Sequence, residues 1–420
     1  MNAMGNEGAV ARARAGGGLL SLFAPLFRRV LDGMDRGIEA GSLEATLPDG
    51  TRRMLGARAP GPAAVVDLRS WRALVRLATR GSAGWYEAWA KGEWASPDPV
   101  QLFALFVLNR KALARGARSK GLPLLAKRIG HWLRRNHRSG SRRNIEFHYD
   151  LGNDFYVEWL DPGMTYSSAI FTDPAQPLED AQAAKLDAML MRTATQPGDA
   201  ILEIGCGWGS FAEAAARGGR KVHGITLSRE QKVFAEARIA AAGLTGANFA
   251  LTDYRDVAGT YDAVVSIEMV EAVGQAYWPD YLGAVAKALK PGGRAAIQYI
   301  SFDDAMFEEY ASNVDFIQTY VFPGGMLISD SRFRAIAEAH GLRWRDHATF
   351  GLGYAETLKQ WRENFDAAVA SGRLPAQFDA KFIDLWRYYL MYCEGGFRGG
   401  GIDVAQVTLI KDFRPNYSGE

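Results

Sequence analysis

Cysteine is nearly absent from this chain: 420 residues hold two, Cys206 and Cys393. Two cannot build a disulfide framework, and so few suit a reducing cytoplasm. Long apolar runs are missing as well. No stretch reaches the roughly 18–20 uninterrupted apolar residues of a spanning helix. Leu19 to Val30 is apolar but carries Arg28 and Arg29, and it lacks a small-residue cleavage site, so no signal peptide is assigned. Acid is missing locally: Arg110 to Arg143 holds twelve Lys and Arg and no Asp or Glu. No metal-ligand set, internal repeat or recognised nucleic-acid motif accompanies that stretch, which argues against nucleic acid as its partner. What remains is ordinary for a soluble globular chain, at 48% hydrophobic and 23% charged residues with a net charge of +2. The length predicts two domains.

The most informative stretch is Ala200 to Ser210. Ala200 to Ile204 is a short apolar run suited to a central parallel strand. Gly205, Gly207 and Gly209 follow at every second position, which lets the backbone turn tightly and approach a ligand closely. Ser210 is placed to cap the helix beyond. The spacing is G-x-G-x-G and not the G-x-G-x-x-G of dinucleotide sites. The next strand, Lys221 to Ile225, runs into Thr226 and Leu227 without the acidic residue that would bind a nicotinamide ribose. A loop of this form is typical of S-adenosylmethionine methyltransferases.

From the N-terminus, residues 1 to about 17 are rich in Gly, Ala and Arg and are expected to be disordered. Leu19 to Ile38 reads as an amphipathic helix with Leu20, Phe23, Leu26, Phe27, Val30 and Met34 near one face; it either packs on the N-terminal domain or lies on a membrane surface. Strands are expected at Leu43 to Leu47 and Val65 to Leu68, with a turn at Pro48 to Thr51. The basic stretch interleaves Leu122, Leu124, Leu125, Ile129, Trp132 and Leu133 with its cations. It reads as a binder of an anionic membrane surface or as a solvated linker.

From residue 200 strand and helix signals alternate, the mark of a doubly wound α/β fold. Strands are expected at Ile201 to Ile204, Lys221 to Ile225, Asn248 to Leu251, Tyr261 to Ile267 and Arg294 to Ile300. Helices are expected from Ser210, over Ser228 to Ala242, where Ser228 and Gln231 form a capping box, and over Trp278 to Leu289. Helical insertions follow at Ala305 to Val314, Ser331 to His340, Glu356 to Ala370 and Phe378 to Cys393, before a last strand, Ile402 to Ile410.

As an ordered set, several motifs resemble the cyclopropane fatty-acid synthase family. They are Phe147-His148-Tyr149-Asp150-Leu151-Gly152, Met164-Thr165-Tyr166-Ser167-Ser168-Ala169, the glycine loop, Gly224-Ile225-Thr226-Leu227-Ser228, Phe322-Pro323-Gly324-Gly325 and Gly395-Gly396-Phe397-Arg398. The resemblance covers roughly Asn144 to Lys411. It implies a Rossmann-like class I methyltransferase domain with helical insertions over 144–420. A smaller α+β domain over 1–120 and a basic segment over 121–143 would precede it. The implied cofactor is S-adenosylmethionine. Glu203, Gly205, Cys206, Gly207 and Gly209 would surround its methionine part. Thr226, Leu227 and Gln231 would contact the ribose, and Asp253, Tyr254, Arg255 and Ile267 the adenine side, where Asp253 is otherwise a turn residue. Tyr166 and Ser167 would close over it.

The fourth strand leads into Glu268 and Glu271, two carboxylates that need partners if buried. Glu271 matches the family glutamate that helps hold a bicarbonate ion as base; the rest of that pocket falls on Ser168, Gln298, Ile300 and Tyr354. Ser168 and Gln298 depart from the family's Cys and His, which puts the base and the final product in question. Glu268 stands where many members have glycine, either as a second acid–base group or as an ion-pair partner. Like charges this close would raise one pKa. His148 would organise a lid or serve structure alone.

The implied reaction methylates a cis alkene in an acyl chain, with Tyr166, Phe171, Tyr320 and Tyr354 as candidates to stabilise the cation. Loss of a proton then gives a cyclopropane, expected first, or a methyl or methylene branch. The implied partners are the unsaturated acyl chain of a phospholipid and an anionic membrane surface at the inner face, with a homo-oligomer left open. A small-amine N-methyltransferase and a non-catalytic lipid-surface module are the alternatives.

Overall fold

A computed structural model describes residues 24–116, 151–173 and 175–412. His148, the extreme N-terminus and residues 117–143 of the basic stretch lie outside them. The chain divides into two compact units. One takes residues 1–124, 315–320 and 380–400, the other 125–314, 321–379 and 401–420. The boundary drawn from the sequence put 315–320 and 380–400 in the second.

In the first unit, β1 (Ser42–Thr46) and β2 (Arg52–Gly56) form a hairpin. Its turn is closed by Leu47 N–H to Thr51 O at 2.8 Å and tied by Asp49 Oδ1 accepting from Thr51 N. β3 (Ala63–Leu68) runs parallel to β1, and β4 (Trp94–Ala95) antiparallel to β3, giving the order β2-β1-β3-β4. Alternation buries Leu43, Ala45, Ala64, Val66 and Leu68. Helix Pro99–Leu108 starts on Asp98, whose carboxylate accepts from Val100 N and Gln101 N, with proline at its first position. Helix Ala380–Arg398 packs on it so closely that a Cβ on Gly395 would lie 2.4 Å from Phe103 Cβ. Tyr320 belongs here too and donates to Glu87 at 2.8 Å.

Helix Ala24–Gly37 buries Phe27 and Leu31, with Phe27 stacked on Trp71 at 5.1 Å. Leu26 and Val30, expected on the same face, are instead 56% and 46% exposed. Residues four apart share a stripe, and Phe27–Leu31 is the stripe the core takes. Among the described residues no helix is long and apolar enough to cross a membrane.

The second unit is built on a seven-stranded sheet of order β10-β11-β9-β8-β5-β6-β7. The strands are β5 (Ala200–Ile204), β6 (Lys221–Thr226), β7 (Ala247–Leu251), β8 (Tyr261–Ile267), β9 (Leu289–Phe302), β10 (Leu342–Thr349) and β11 (Ile402–Lys411). β7, β6, β5, β8 and β9 are parallel; β11 and β10 close the edge antiparallel. Both faces are covered. Leu202, Ile204, Val264 and Ile297 join one core, and Ile201, Val222, Ala263 and Val265 the other. This is a Rossmann-like α/β fold. From β5 the chain winds outward through β6 and β7, then returns to β8 on the other side. The crevice beyond the carboxyl ends of β5 and β8 is therefore the switch point where open α/β sheets bind ligands.

Ser210 does not cap the helix Ser210–Arg217. Gly209, at φ 86°, takes the cap position, and the Ser210 hydroxyl donates to Gly163 O at 2.6 Å. Ser228 does cap Arg229–Ala241 by accepting from Gln231 N at 3.2 Å. The reciprocal half of the expected capping box is absent, because Gln231 Oε1 accepts from Thr226 Oγ1 at 2.8 Å. The expected helix at Ala305 to Val314 is a 3₁₀ turn, Asp304–Met306, followed by a single turn, Phe307–Ala311.

Candidate functional site

The loop after β5 approaches the crevice with its backbone. Gly205, Gly207 and Gly209 all have positive φ. A Cβ on Gly205 would meet Met269 Cγ at 2.3 Å, so that glycine serves packing. A Cβ on Gly207 would meet no atom of the chain within 4 Å, so that glycine leaves open space beside the loop. Cys206 is buried, and burial raises its thiol well above the ordinary value, so it stays protonated. Glu203, the last inward acid of β5, is buried with Oε2 unpartnered among the described residues. Burial raises its pKa well above the usual range, and Lys185 opposes this.

Lys185 comes from helix Leu178–Thr193, which the sequence reading did not identify. It is 0% exposed, and its Nζ donates to Ser167 Oγ at 2.7 Å. Burial pulls its pKa down to about 8, while Glu268, Asp161 and Glu203 push it up. Gln182 of the same helix donates to Ser167 O at 2.9 Å. Tyr166 beside it lies 5.2 Å from the ring of Trp361, which in turn lies 6.1 Å from Tyr354.

Glu268 gathers three of the residues that were expected around an anion, Ser168, Gln298 and Tyr354. Its Oε1 accepts from Ser168 N at 2.8 Å and from Gln298 Nε2 at 2.8 Å; its Oε2 accepts from the Tyr354 hydroxyl at 2.7 Å. Its own N–H donates to Gln298 O at 2.8 Å. The Ser168 hydroxyl, expected to face the anion, donates instead to Ala169 O at 3.1 Å. Glu268 has φ 51°, in the left-handed region, which costs a side chain about 1–2 kcal/mol. Burial raises its pKa, and its three donors oppose the rise. The Gln298 amide is held behind it in a line, with Gln406 Nε2 donating to Gln298 Oε1 at 2.9 Å and Arg192 Nε donating to Gln406 Oε1 at 3.0 Å.

Glu271 is on the short helix Val270–Val273. Its Oε1 accepts from Ile300 N at 2.5 Å, and its Oε2 is sealed from solvent with no partner among the described residues. Burial first, then the charge of Glu268, pushes its pKa up to about 8. Glu271 is therefore the member of the pair that keeps a proton at neutral pH, and the three donors on Glu268 favour its charged form.

The other candidates are more loosely gathered. Thr226 and Gln231 bond each other, with half-buried Leu227 beside them. Asp253 accepts from Arg255 N, Nε and Nη2, at 3.0, 2.8 and 2.6 Å, as a turn residue and ion-pair partner in one. Arg255 also lies over the rings of Tyr254 and Tyr277. Ile267 ends β8 at the crevice.

The family model for mycolic acid cyclopropane synthetase matches residues 136–407. The chain belongs to this family. Its members are S-adenosylmethionine-dependent methyltransferases, and so is this synthetase-family chain. A tuberculostearic acid methyltransferase of Mycobacterium tuberculosis is 39% identical over 360 residues, 81% of each chain. The cyclopropane-fatty-acyl-phospholipid synthase of Escherichia coli K12 is 36% identical over 266 residues, 63% of this chain and 66% of that one. A solved mycolic acid cyclopropane synthase, complexed with SAH and CTAB, is 29% identical with a TM-score of 0.60, covering 64% of this chain and 98% of the other.

The residues present fit this family's cofactor. The open side of Gly207 admits a ligand against the backbone, and the unpartnered Glu203 Oε2 can accept from an ammonium group. They do not fit bicarbonate, because the donors that would hold it are spent on Glu268 and, for Ile300 N, on Glu271.

Proposed function

We propose that this chain transfers the methyl group of S-adenosylmethionine to the double bond of an unsaturated acyl chain in a phospholipid. The observation that carries this is the half-buried carboxylate pair, Glu268 and Glu271, beside the Tyr166–Trp361–Tyr354 aromatic row. Alkylating an alkene leaves a carbon cation, which needs aromatic faces to lower its energy and a base to end it. The bound cofactor supplies an electrophilic methyl on a sulfonium. Gly207 leaves room for it, Glu203 and Ser167 hold its polar end, and Lys185 fixes Ser167 from behind. The buried walls exclude water, which would otherwise capture the cation.

The ring is the first product expected from the family resemblance. The branch is favoured by the changed residues Ser168, Gln298 and Glu268, and by the relative matched over 81% of both chains, which is named a tuberculostearic acid methyltransferase. We place the work at an anionic membrane surface. The basic stretch 110–143 and the exposed Leu26 and Val30 support that reading.

The test uses methyl-labelled S-adenosylmethionine and vesicles of cis-monounsaturated phosphatidylglycerol or phosphatidylcholine, at low and high salt. Label enters acyl chains, faster on the anionic vesicles, and salt removes the difference. Upfield ring protons in the NMR spectrum of the product mark a cyclopropane; vinylic or methyl-branch signals mark the alternative. Label in an amine and none in lipid refutes the proposal.

Gly207→Ala checks the cofactor assignment. The new methyl group meets nothing in the chain, so stability falls by only about 1 kcal/mol from the left-handed backbone. Affinity for S-adenosylmethionine by calorimetry drops by more than tenfold. Unchanged affinity would remove Gly207 from the cradle.

A further inference from the structure

Resting on the lipid reading above, we propose that the Glu268 carboxylate takes the place of a diffusible bicarbonate and is itself the proton acceptor of the reaction. Three groups that would grip such an anion all converge on this side chain: the Ser168 amide at 2.8 Å, the Gln298 amide at 2.8 Å and the Tyr354 hydroxyl at 2.7 Å. A carboxylate and a bicarbonate present the same two-oxygen anionic face to donors. Here that face is carried on the chain, at a backbone position where φ is 51° and glycine is the unstrained residue. With glycine there, the same three donors would converge on open space.

The two oxygens differ. Oε1 accepts two hydrogen bonds, so both its lone pairs are engaged, whereas Oε2 accepts one from Tyr354 and keeps one pair free. Oε2 is the proton acceptor. The π pair of the alkene forms the new bond to the methyl carbon as the carbon–sulfur bond breaks and leaves its pair on sulfur, giving a neutral thioether. The neighbouring alkene carbon becomes cationic. Oε2 takes a proton either from the new methyl carbon, whose freed C–H pair bonds to the cationic carbon and closes the ring, or from a chain carbon next to the cation, whose freed pair forms a double bond. Glu268 ends neutral and loses its proton to solvent when the products leave. Glu271, with its Oε1 on Ile300 N and its Oε2 sealed, remains a protonated neighbour throughout.

The experiment has a binding arm and a turnover arm. In the first, ¹³C-bicarbonate binding is followed by NMR. Wild type shows none, whereas Glu268→Gly, with its donors released, binds the ion. In the second, wild-type turnover in carbon-dioxide-free buffer stays within twofold of that in bicarbonate buffer. Glu268→Gln loses about 100-fold or more in kcat, the usual share of a general base. It keeps its affinity for S-adenosylmethionine and its melting temperature, which separates lost chemistry from lost folding. Added bicarbonate restores part of the rate to Glu268→Gly.

Bicarbonate binding by wild type, a wild-type rate that collapses without it, or an undiminished Glu268→Gln rate on labelled lipid each overturns the proposal. Wild type that labels no lipid in any buffer overturns the lipid reading, and the acceptor role falls with it; the binding arm still decides whether Glu268 fills the anion site.

Discussion

Lys185→Met will lower the unfolding free energy by about 3–5 kcal/mol at pH 7, the usual loss when one member of a buried charge set is removed. Lys185 is fully buried and gives a hydrogen bond of 2.7 Å to Ser167 Oγ. Methionine fills the same volume, so the loss reports charge and hydrogen bonding, not a cavity. Asp161 and Glu268, both already raised by burial, lose the cation that opposes the rise. Their folded pKa values climb further, so the deficit is smallest at low pH, where they are protonated in either state, and grows as pH rises.

At the alkaline end the lysine itself adds to the deficit. Its folded pKa of about 8 is below the ordinary 10.5, so between those values the unfolded chain holds more protons. Wild-type stability therefore gains a contribution that rises with pH through that window, and Lys185→Met lacks it. Urea unfolding at pH 5, 7 and 9 checks both slopes. A loss under about 1 kcal/mol at pH 7 would mean the carboxylates find compensation elsewhere.

The second large effect is a gain. Glu271→Gln will leave stability near pH 5 little changed and raise it by a few kcal/mol at pH 9. The Glu271 carboxyl is pushed up to about 8, by burial first and then by Glu268. A carboxyl raised in the folded state stabilises it fully below the unfolded value near 4.5, and that contribution is lost as pH climbs through about 8. An amide never ionises, so the variant keeps what wild type loses. Its oxygen can still accept from Ile300 N, as Glu271 Oε1 does at 2.5 Å. Denaturation midpoints across pH 5 to 9 give the test: parallel curves for the two proteins would show that Glu271 titrates normally.

Both effects lie where local sequence is a poor guide. The strand–glycine–helix unit at Ala200 to Ser210 and the Ser228 cap were legible because each depends on residues a few positions apart. So was the doubly wound class, since strands and helices alternate along the chain from residue 200. The partners of Glu268 were not legible. Ser168, Glu268, Gln298 and Tyr354 come from four separate elements, and no periodicity in the chain announces that their hydrogen bonds share one carboxylate. Lys185 was hidden for a related reason. Lysine normally marks an exposed helix face, and helix Leu178–Thr193 turns this one inward toward acids contributed from far along the chain. β2 and β10 were missed because arginines interrupt them. On edge strands a long cationic side chain can lie over the sheet with its head in water, so the alternation of apolar residues fades.

The row Arg192–Gln406–Gln298–Glu268 has a handedness. A guanidinium has only hydrogens to offer, so Gln406 must turn its carbonyl toward Arg192 and its NH₂ toward Gln298. Gln298 must then repeat the choice and meet Glu268 with hydrogens. The polarity with which the sheet greets its carboxylate is thus written two amides away, by a cation that never touches it.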